Sequence, residues 1–430
     1  MTTKNILMIA FQFPPMSGSS GLLRVLKFCK YLPEFGWTPT VVTADPSMYE
    51  QVNAQQLSLI PQGLEVVRAF GLDSKRQLSI YGRYPRFLAL PDTSASWSLC
   101  AILAALRVMR RKNIEMVFTT FPIATAVWIG LVLHRLTGKP WILDLRDSMT
   151  EDNYPRDPAT FRVWRWLERL AIKRASLVLF TAHSAIRMYR SRYPELAEDK
   201  CLLLPNGYDE EDFVRLQAPR KTLETASRPF QLLHSGLVYP EERDPIPFFR
   251  ALARLSQESK ISSKSLQVNL RAPGFEDKYS EIIQGLGLKD IVNLLPRIPY
   301  TQALEEYVAS DALLLMQAKN CDHQIPAKAY EYFRLGKPIL ALTSENGDTA
   351  SLLRDVGGST IVNLHDEEAI YLALPRFFSE VESGNHAVPS REAASRFSRR
   401  NLSKDLANHL DQLVDSRYLP VVEKPAKGAI

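Results

Sequence analysis

The chain has 430 residues, 46% hydrophobic and 23% charged, a globular composition that excludes fibrous and intrinsically disordered classes, and its length predicts about two or three domains. Its 53 basic and 47 acidic residues leave a net charge of +6 and a pI near 9.0, which suits phosphates or an anionic membrane surface. There is no zinc pattern, RNA-recognition signature or basic tail, so nucleic acid is not an expected partner. The four cysteines, Cys29, Cys100, Cys201 and Cys321, lie far apart with no pair at metal-ligand spacing. The opening Met-Thr-Thr-Lys is not a secretory signal, and a reducing cytoplasm is the expected compartment. The longest apolar run, 123–133, ends at His134 and Arg135, short of the ~20 residues that span a bilayer.

In chain order, 6–10 reads as an apolar strand, 11–20 as a loop rich in Pro, Gly and Ser, and 22–32 as a helix ending before Gly36. Further strands follow near 41–43, 64–67, 116–119, 141–143, 177–180 and 202–204, with helices near 97–111, 124–136 and 161–173. Such alternation predicts a parallel, doubly wound α/β sheet. Between Val214 and Pro229 the apolar period fails, and strands resume near 231–234, 266–270, 291–294, 312–316, 338–342 and 360–362. The expected organisation is therefore a first domain at 1–217, a linker at 218–229, a second domain at 230–388 and a C-terminal segment at 389–430. In that segment Phe397, Leu402, Leu406, Leu410 and Leu413 form one stripe of a long helix, expected to cross back onto the first domain before a loose tail.

The loop after the first strand, Phe13-Pro14-Pro15-Met16-Ser17-Gly18-Ser19-Ser20-Gly21, offers small residues beside a helix start, where anions are favoured. It lacks the third glycine of the dinucleotide fingerprint, and its glycines alone equally suit a strained loop. The stretch 323–338, His-Gln-Ile-Pro-Ala-Lys-Ala-Tyr-Glu-Tyr-Phe-Arg-Leu-Gly-Lys-Pro, is the most informative one. Pro326 suits a first helical turn and Gly336 a helix end, and Lys328 and Glu331 share one face. By spacing they are either a solvated intrahelical pair or a pair for phosphate and ribose. The apolar strands flanking the helix favour a ligand at their carboxyl ends.

Taken in order, Pro14-Pro15 with Gly18 and Gly21, Asp144-Leu145-Arg146-Asp147, Pro205-Asn206-Gly207-Tyr208-Asp209, Arg243-Asp244-Pro245 and 326–338 resemble the retaining glycosyltransferases of family four, over nearly the whole chain. The resemblance implies the GT-B fold: two doubly wound Rossmann-like domains facing across a cleft, with a C-terminal crossover helix. It implies a nucleotide-diphosphate sugar held mainly by the second domain and a saccharide or lipid-linked saccharide acceptor held mainly by the first. Glu331 falls at the family's ribose-binding glutamate. The usual glutamate eight residues earlier is His323 here, flanked by Asp322 and Gln324. The usual Gly-Arg reads Gly236-Leu237, leaving the cationic role to Arg243, a variation similar to a bacterial surface-polysaccharide branch.

Cleavage of a sugar–phosphate bond leaves charge on a diphosphate, which calls for cations and backbone amides. Arg243 and Lys328 are the candidates, with Arg271 a weaker donor-binding one. Arg243 and Arg271 also read as surface arginines, the former paired with Glu241 or Asp244. Retention in such enzymes implies no covalent protein intermediate; an inverting enzyme needs a base, for which Asp144 or Asp147 would serve. His183, at a strand end, is a further catalytic candidate, with a backbone-satisfied loop histidine as the alternative.

Arg146 interrupts Asp144, Asp147, Glu151 and Asp152, so no metal is expected, and no cofactor beyond the nucleotide sugar. The helix 161–170 mixes bulky apolar and basic residues, which fits an anionic lipid surface or a core helix; Arg107, Arg110, Arg111 and Lys112 add charge to the same domain. The expectation is a cytoplasmic transferase working at the inner membrane face in surface-polysaccharide assembly. Its rivals are a nucleotide-sugar epimerase and a catalytically silent sugar-nucleotide-binding scaffold.

Overall fold

The computed structural model describes residues 3–17, 21–152, 154–214, 216 and 228–418. Most of the expected linker, 218–227, and the tail beyond 418 lie outside the described residues. The chain forms two compact units, one of residues 1–180, 190–204 and 399–430, the other of residues 181–189 and 205–398.

The first unit begins β1 (Lys4–Ile9), α1 (Leu22–Tyr31), β2 (Trp37–Ala44), β3 (Glu65–Ala69), α2 (Trp97–Arg111), β4 (Ile114–Phe121), α3 (Ala124–Thr137) and β5 (Trp141–Leu145). It continues through α4 (Pro158–Arg174), β6 (Leu177–Phe180), α5 (His183–Arg192), which crosses the division, and β7 (Cys201–Leu203). All these strands pair in parallel in the order β3-β2-β1-β4-β5-β6-β7. Helices cover the sheet, so β5 and β6 are buried along their whole lengths, as their unbroken apolar runs require.

The second unit carries α6 (Glu210–Val214), β8 (Phe230–Ser235), α7 (Ile246–Gln257), β9 (Leu266–Arg271), α8 (Glu276–Gly285), β10 (Val292–Leu295) and α9 (Tyr300–Ala309). There follow β11 (Ala312–Gln317), α10 (Lys328–Leu335), β12 (Ile339–Thr343), α11 (Asp348–Val356), β13 (Ser359–Val362), α12 (Glu367–Glu382) and α13 (Arg391–Ser395). Its parallel sheet runs β10-β9-β8-β11-β12-β13. In each sheet the strand order reverses beside the first strand, between β1 and β4 and between β8 and β11, and ligands of open α/β sheets bind at the carboxyl ends of such strands.

The C-terminal segment departs from the expected single helix. After α13 the chain turns through 396–398 and starts α14 (Arg399–Tyr418), which belongs to the first unit. The apolar stripe serves two cores. Phe397 packs on Tyr330 at a ring separation of 5.1 Å in the second unit. Leu402, Leu406 and Leu410 join Leu26 and Phe28 of α1 in the first.

Candidate functional site

In the second unit β8 ends at Ser235 and the chain bends through Gly236 at φ +106°, a left-handed conformation that disfavours a side chain. The Gly236 N–H donates to the Arg271 carbonyl at 2.8 Å. Next to it, Gln317 at the end of β11 donates to the carbonyls of Cys321 at 2.7 Å and Gln324 at 3.1 Å, folding the loop that leads into α10. The Ala318 N–H reaches the Glu242 carbonyl at 2.7 Å, so the segment carrying Arg243 is tied to the same strand end.

The helix α10 buries Ala329, Tyr330, Tyr332 and Phe333 and leaves Lys328 and Glu331 on its other side. It starts at Lys328; Pro326 lies just ahead of it, with its carbonyl accepting the Ala329 N–H at 2.9 Å. Gly336 at φ +62° ends it, as the sequence suggests.

Lys328 faces the strand-end bend. Its Nζ lies 3.0 Å from Nε2 of His234, and a Cβ on Gly236 would stand 3.2 Å from that Nζ. His234 is fully buried on β8, with Nδ1 2.9 Å from the Leu314 carbonyl. The carbonyl requires the proton on Nδ1, which leaves Nε2 as a lone-pair acceptor for Lys328. Burial, then the charges of Lys328 and Arg243, hold His234 well below its ordinary pKa, so the ring is neutral. Burial, then the Arg243 charge, pulls Lys328 well below the ordinary lysine range, with Glu331 opposing.

Arg243 donates from Nη1 to the Leu237 carbonyl at 2.9 Å and lies over the Tyr239 ring. Among the described residues neither Lys328 nor Arg243 pairs with a carboxylate, so Arg243 is not the surface partner of Glu241 or Asp244. Glu331 accepts the Tyr300 hydroxyl at 2.8 Å. Two cations, a neutral imidazole and a tight glycine bend therefore share one switch point with a carboxylate one helical turn away.

Other candidates fall elsewhere. The guanidinium of Arg271 is committed to Glu306, with Nε at 2.9 Å, and to the Pro296 carbonyl at 2.7 Å, so its geometry is that of a structural pair. His323 lies in the loop before α10, its Nε2 3.4 Å from the Gln324 amide nitrogen; burial raises the pKa of neighbouring Asp322. His183 is exposed as the first residue of α5. Gly18 lies outside the described residues.

The first unit uses its motif residues differently. Asp144, at the end of β5, is fully buried and receives Nε and Nη2 of Arg24 at 2.9 to 3.1 Å and the Thr120 hydroxyl at 2.9 Å. Nη2 of Arg24 also donates to the Leu204 carbonyl at 2.8 Å. A carboxylate so engaged is a poor general base. Arg146 donates to the Phe121 carbonyl at 2.8 Å and to Oε1 of Gln12 at 3.1 Å. Gly21 allows this, because a Cβ there would run into both Arg146 and Gln12. Asp147 is exposed just after the strand. Among the described residues no group of three or more His, Cys, Asp or Glu is placed to hold a metal ion.

His234 is the site residue that the sequence reading passes over. Its signal is a polar residue inside the apolar strand Phe-Gln-Leu-Leu-His-Ser, two positions before Gly236.

Residues 23–207 match a family model, the glycosyl transferase 4-like domain. No curated protein matches the chain. Among solved structures, a sucrose-phosphate synthase from Thermosynechococcus elongatus is similar at TM-score 0.65 and 16% identity, over 96% of this chain and 100% of that one. HepE from Anabaena, in complex with UDP and glucose, is similar at TM-score 0.65 and 15% identity, over 95% and 100%. The lipopolysaccharide outer core galactosyltransferase WaaB is similar at TM-score 0.61 and 11% identity, over 95% and 99%. The fold is thus the two-sheet GT-B architecture of glycosyltransferases. The residues around Lys328 lie beyond the segment that the family model covers.

Proposed function

With a glycosyl transferase 4-like domain at residues 23–207 and a GT-B fold throughout, we propose that the protein transfers a sugar from a nucleotide-diphosphate donor to a saccharide or lipid-linked saccharide acceptor. The reaction proceeds with retention of configuration and serves surface-polysaccharide assembly. The observation that carries the reading is Lys328, an ammonium whose nearest polar partner is the neutral His234, in the field of Arg243. Two positive groups without a carboxylate at a sheet switch point favour a diphosphate, and they stabilise the charge that develops as the glycosidic oxygen leaves.

In this reading the ring of His234 orients the Lys328 ammonium, Arg243 meets the second phosphate and Glu331 takes the ribose hydroxyls, with Tyr300 orienting its carboxylate. The HepE structure with UDP and glucose supports a nucleotide-sugar donor, and the WaaB likeness supports a surface-glycan acceptor. No protein nucleophile is assigned; the leaving phosphate accepts the acceptor's proton.

Titration calorimetry with UDP and GDP tests the site. Glu331→Ala is expected to weaken both nucleotides, and Arg243→Ala to slow donor hydrolysis more than it weakens nucleotide binding. Unchanged affinity and rate in both variants would remove the assignment. A donor sugar that inverts a stereocentre without any acceptor would replace it with the epimerase reading.

A further inference from the structure

On one face of the first unit α3 packs against both α2 and α4. Each of the three helices returns from the carboxyl end of one parallel strand to the start of the next, so they run side by side in the same direction. Their outer stripes are unusual for solvated helices. On α2 the outward positions are Leu99, Leu103, Arg107 and Arg110, with Leu99 66% and Leu103 45% exposed. On α4 they are Arg162, Trp166, Arg169 and Lys173, with Trp166 52% exposed and its ring 6.1 Å from that of Trp128 on α3. The α3 stripe ends in Arg135 and exposed Leu136.

The only carboxylate in the three helices is Glu168, which is fully buried and accepts Arg192 at 2.8 Å and the Thr150 hydroxyl at 2.7 Å. Arg111 and Lys112 are both tied to Glu65, at 2.8 and 2.7 Å. Among the described residues Arg107, Arg110, Arg135, Arg169 and Lys173 have no carboxylate partner. The helix dipole favours acids at helix starts and cations at the last turns, and Asp157 capping α4, Asp92 at the start of α3, and Arg110 and Lys173 in last turns fit it. Arg107 and Arg169 lie ahead of the last turns, and with the exposed leucines and Trp166 they are what the dipole does not account for. Two shallow hollows mix the same chemistry, one lined by Phe70, Leu103, Arg107 and Arg110, the other by Val163, Arg162 and Trp166.

We propose that the outer face of α2, α3 and α4 lies on an anionic lipid bilayer, the leucines and Trp166 entering the headgroup boundary and the arginines and Lys173 meeting lipid phosphates. Charge complementarity selects this occupant: an exposed apolar stripe continued by unpaired cations, with no acid at the outward positions of the three helices, matches an interface that is apolar beneath and negative above. A protein partner would need its own acidic, apolar surface. No helix among the described residues is long and apolar enough to cross a membrane, so the attachment is peripheral. This surface does not depend on the donor-site reading.

The test is co-sedimentation of the full chain with phosphatidylcholine vesicles, with and without phosphatidylglycerol. Binding is expected only with the anionic lipid, together with a blue shift of tryptophan emission. Reversing Arg107, Arg110, Arg169 and Lys173 to Glu should weaken it at least about tenfold, with the melting temperature and nucleotide binding kept. Should that variant fold poorly, Arg107→Gln with Arg169→Gln gives a smaller loss in the same direction, and Trp166→Ser removes the emission shift. Equal binding to both vesicles, no binding to either, or full binding by the charge-altered variants would overturn the proposal. Vesicle binding needs no donor, so its failure leaves the transferase reading standing.

Discussion

Two cations, one on a helix beside each sheet, are treated in opposite ways. Arg24, 1% exposed, is met by both oxygens of Asp144, 0% exposed, and by a carbonyl, so its charge is balanced. Lys328 meets only a neutral imidazole and stands in the field of a second cation. The first arrangement is closed and structural; the second is electrostatically incomplete and is completed by an anion. The same strand order over six strands thus supports opposite uses, and the balance of charge around the cation separates them.

The largest expected effect breaks the closed site. Asp144→Ala leaves the Arg24 guanidinium buried without a counter-charge, a change that costs about 3–5 kcal/mol. The denaturation midpoint of the first unit should fall accordingly. A midpoint unchanged by this variant would show that the pair is not the first unit's charge clamp.

The same operation on the open site is expected to have the reverse sign. Lys328→Met removes a half-buried ammonium without a counter-charge and keeps its length, so the ligand-free protein should melt no lower, and by about 2 °C higher for each kcal/mol of relief. UDP and GDP affinity should fall about tenfold or more, the usual worth of a hydrogen bond to a charged group. Loss of stability with unaltered nucleotide affinity would make Lys328 structural and erase the contrast.

The sequence carried much of this difference, and the reasons it stopped are physical. Both sheets were legible because unbroken apolar strands such as Trp141–Leu145 and Ala312–Gln317, alternating with helices, have few other ways to be buried. The ends of α10 were legible to within two residues from Pro326 and Gly336. Charge balance was not legible, since Arg24 and Asp144 are 120 residues apart and Lys328 and His234 are 94 apart. Arg271 and Arg243 look alike as text, and only tertiary folding gives Glu306 to one and no carboxylate to the other. Phe397 and Leu402 fit one helical stripe, yet the stripe divides because each half has a different core to fill.

A smaller effect sharpens the geometry of the open site. Gly236 and Gly384 both have positive φ, +106° and +71°, but a Cβ on Gly384 would meet nothing within 4 Å, whereas one on Gly236 would stand 3.2 Å from Nζ of Lys328. Replacing either with Ala is expected to cost about 1–3 kcal/mol of backbone strain. Only Gly236→Ala should also weaken nucleotide binding, because only there does the added carbon press on the ammonium. Equal affinity in both variants would move the phosphates away from this bend.

The smallest effect is one of protons. In the empty site burial and Arg243 depress the Lys328 pKa, so part of the population is neutral at a pH where ordinary lysine is fully charged. A bound diphosphate brings negative charge and raises that pKa, so binding takes up a proton, and affinity falls as the pH climbs through the liganded value. His234, held neutral by burial and then by the neighbouring Lys328 and Arg243, contributes no proton above neutral pH. The heat of UDP binding should therefore depend on the ionisation enthalpy of the buffer, differing between phosphate and Tris at one pH, and the dependence should vanish in Lys328→Met. If wild-type heats are the same in both buffers, Lys328 is already fully charged in the empty site. The contrast with Arg24 would then rest on the partners of the two cations alone.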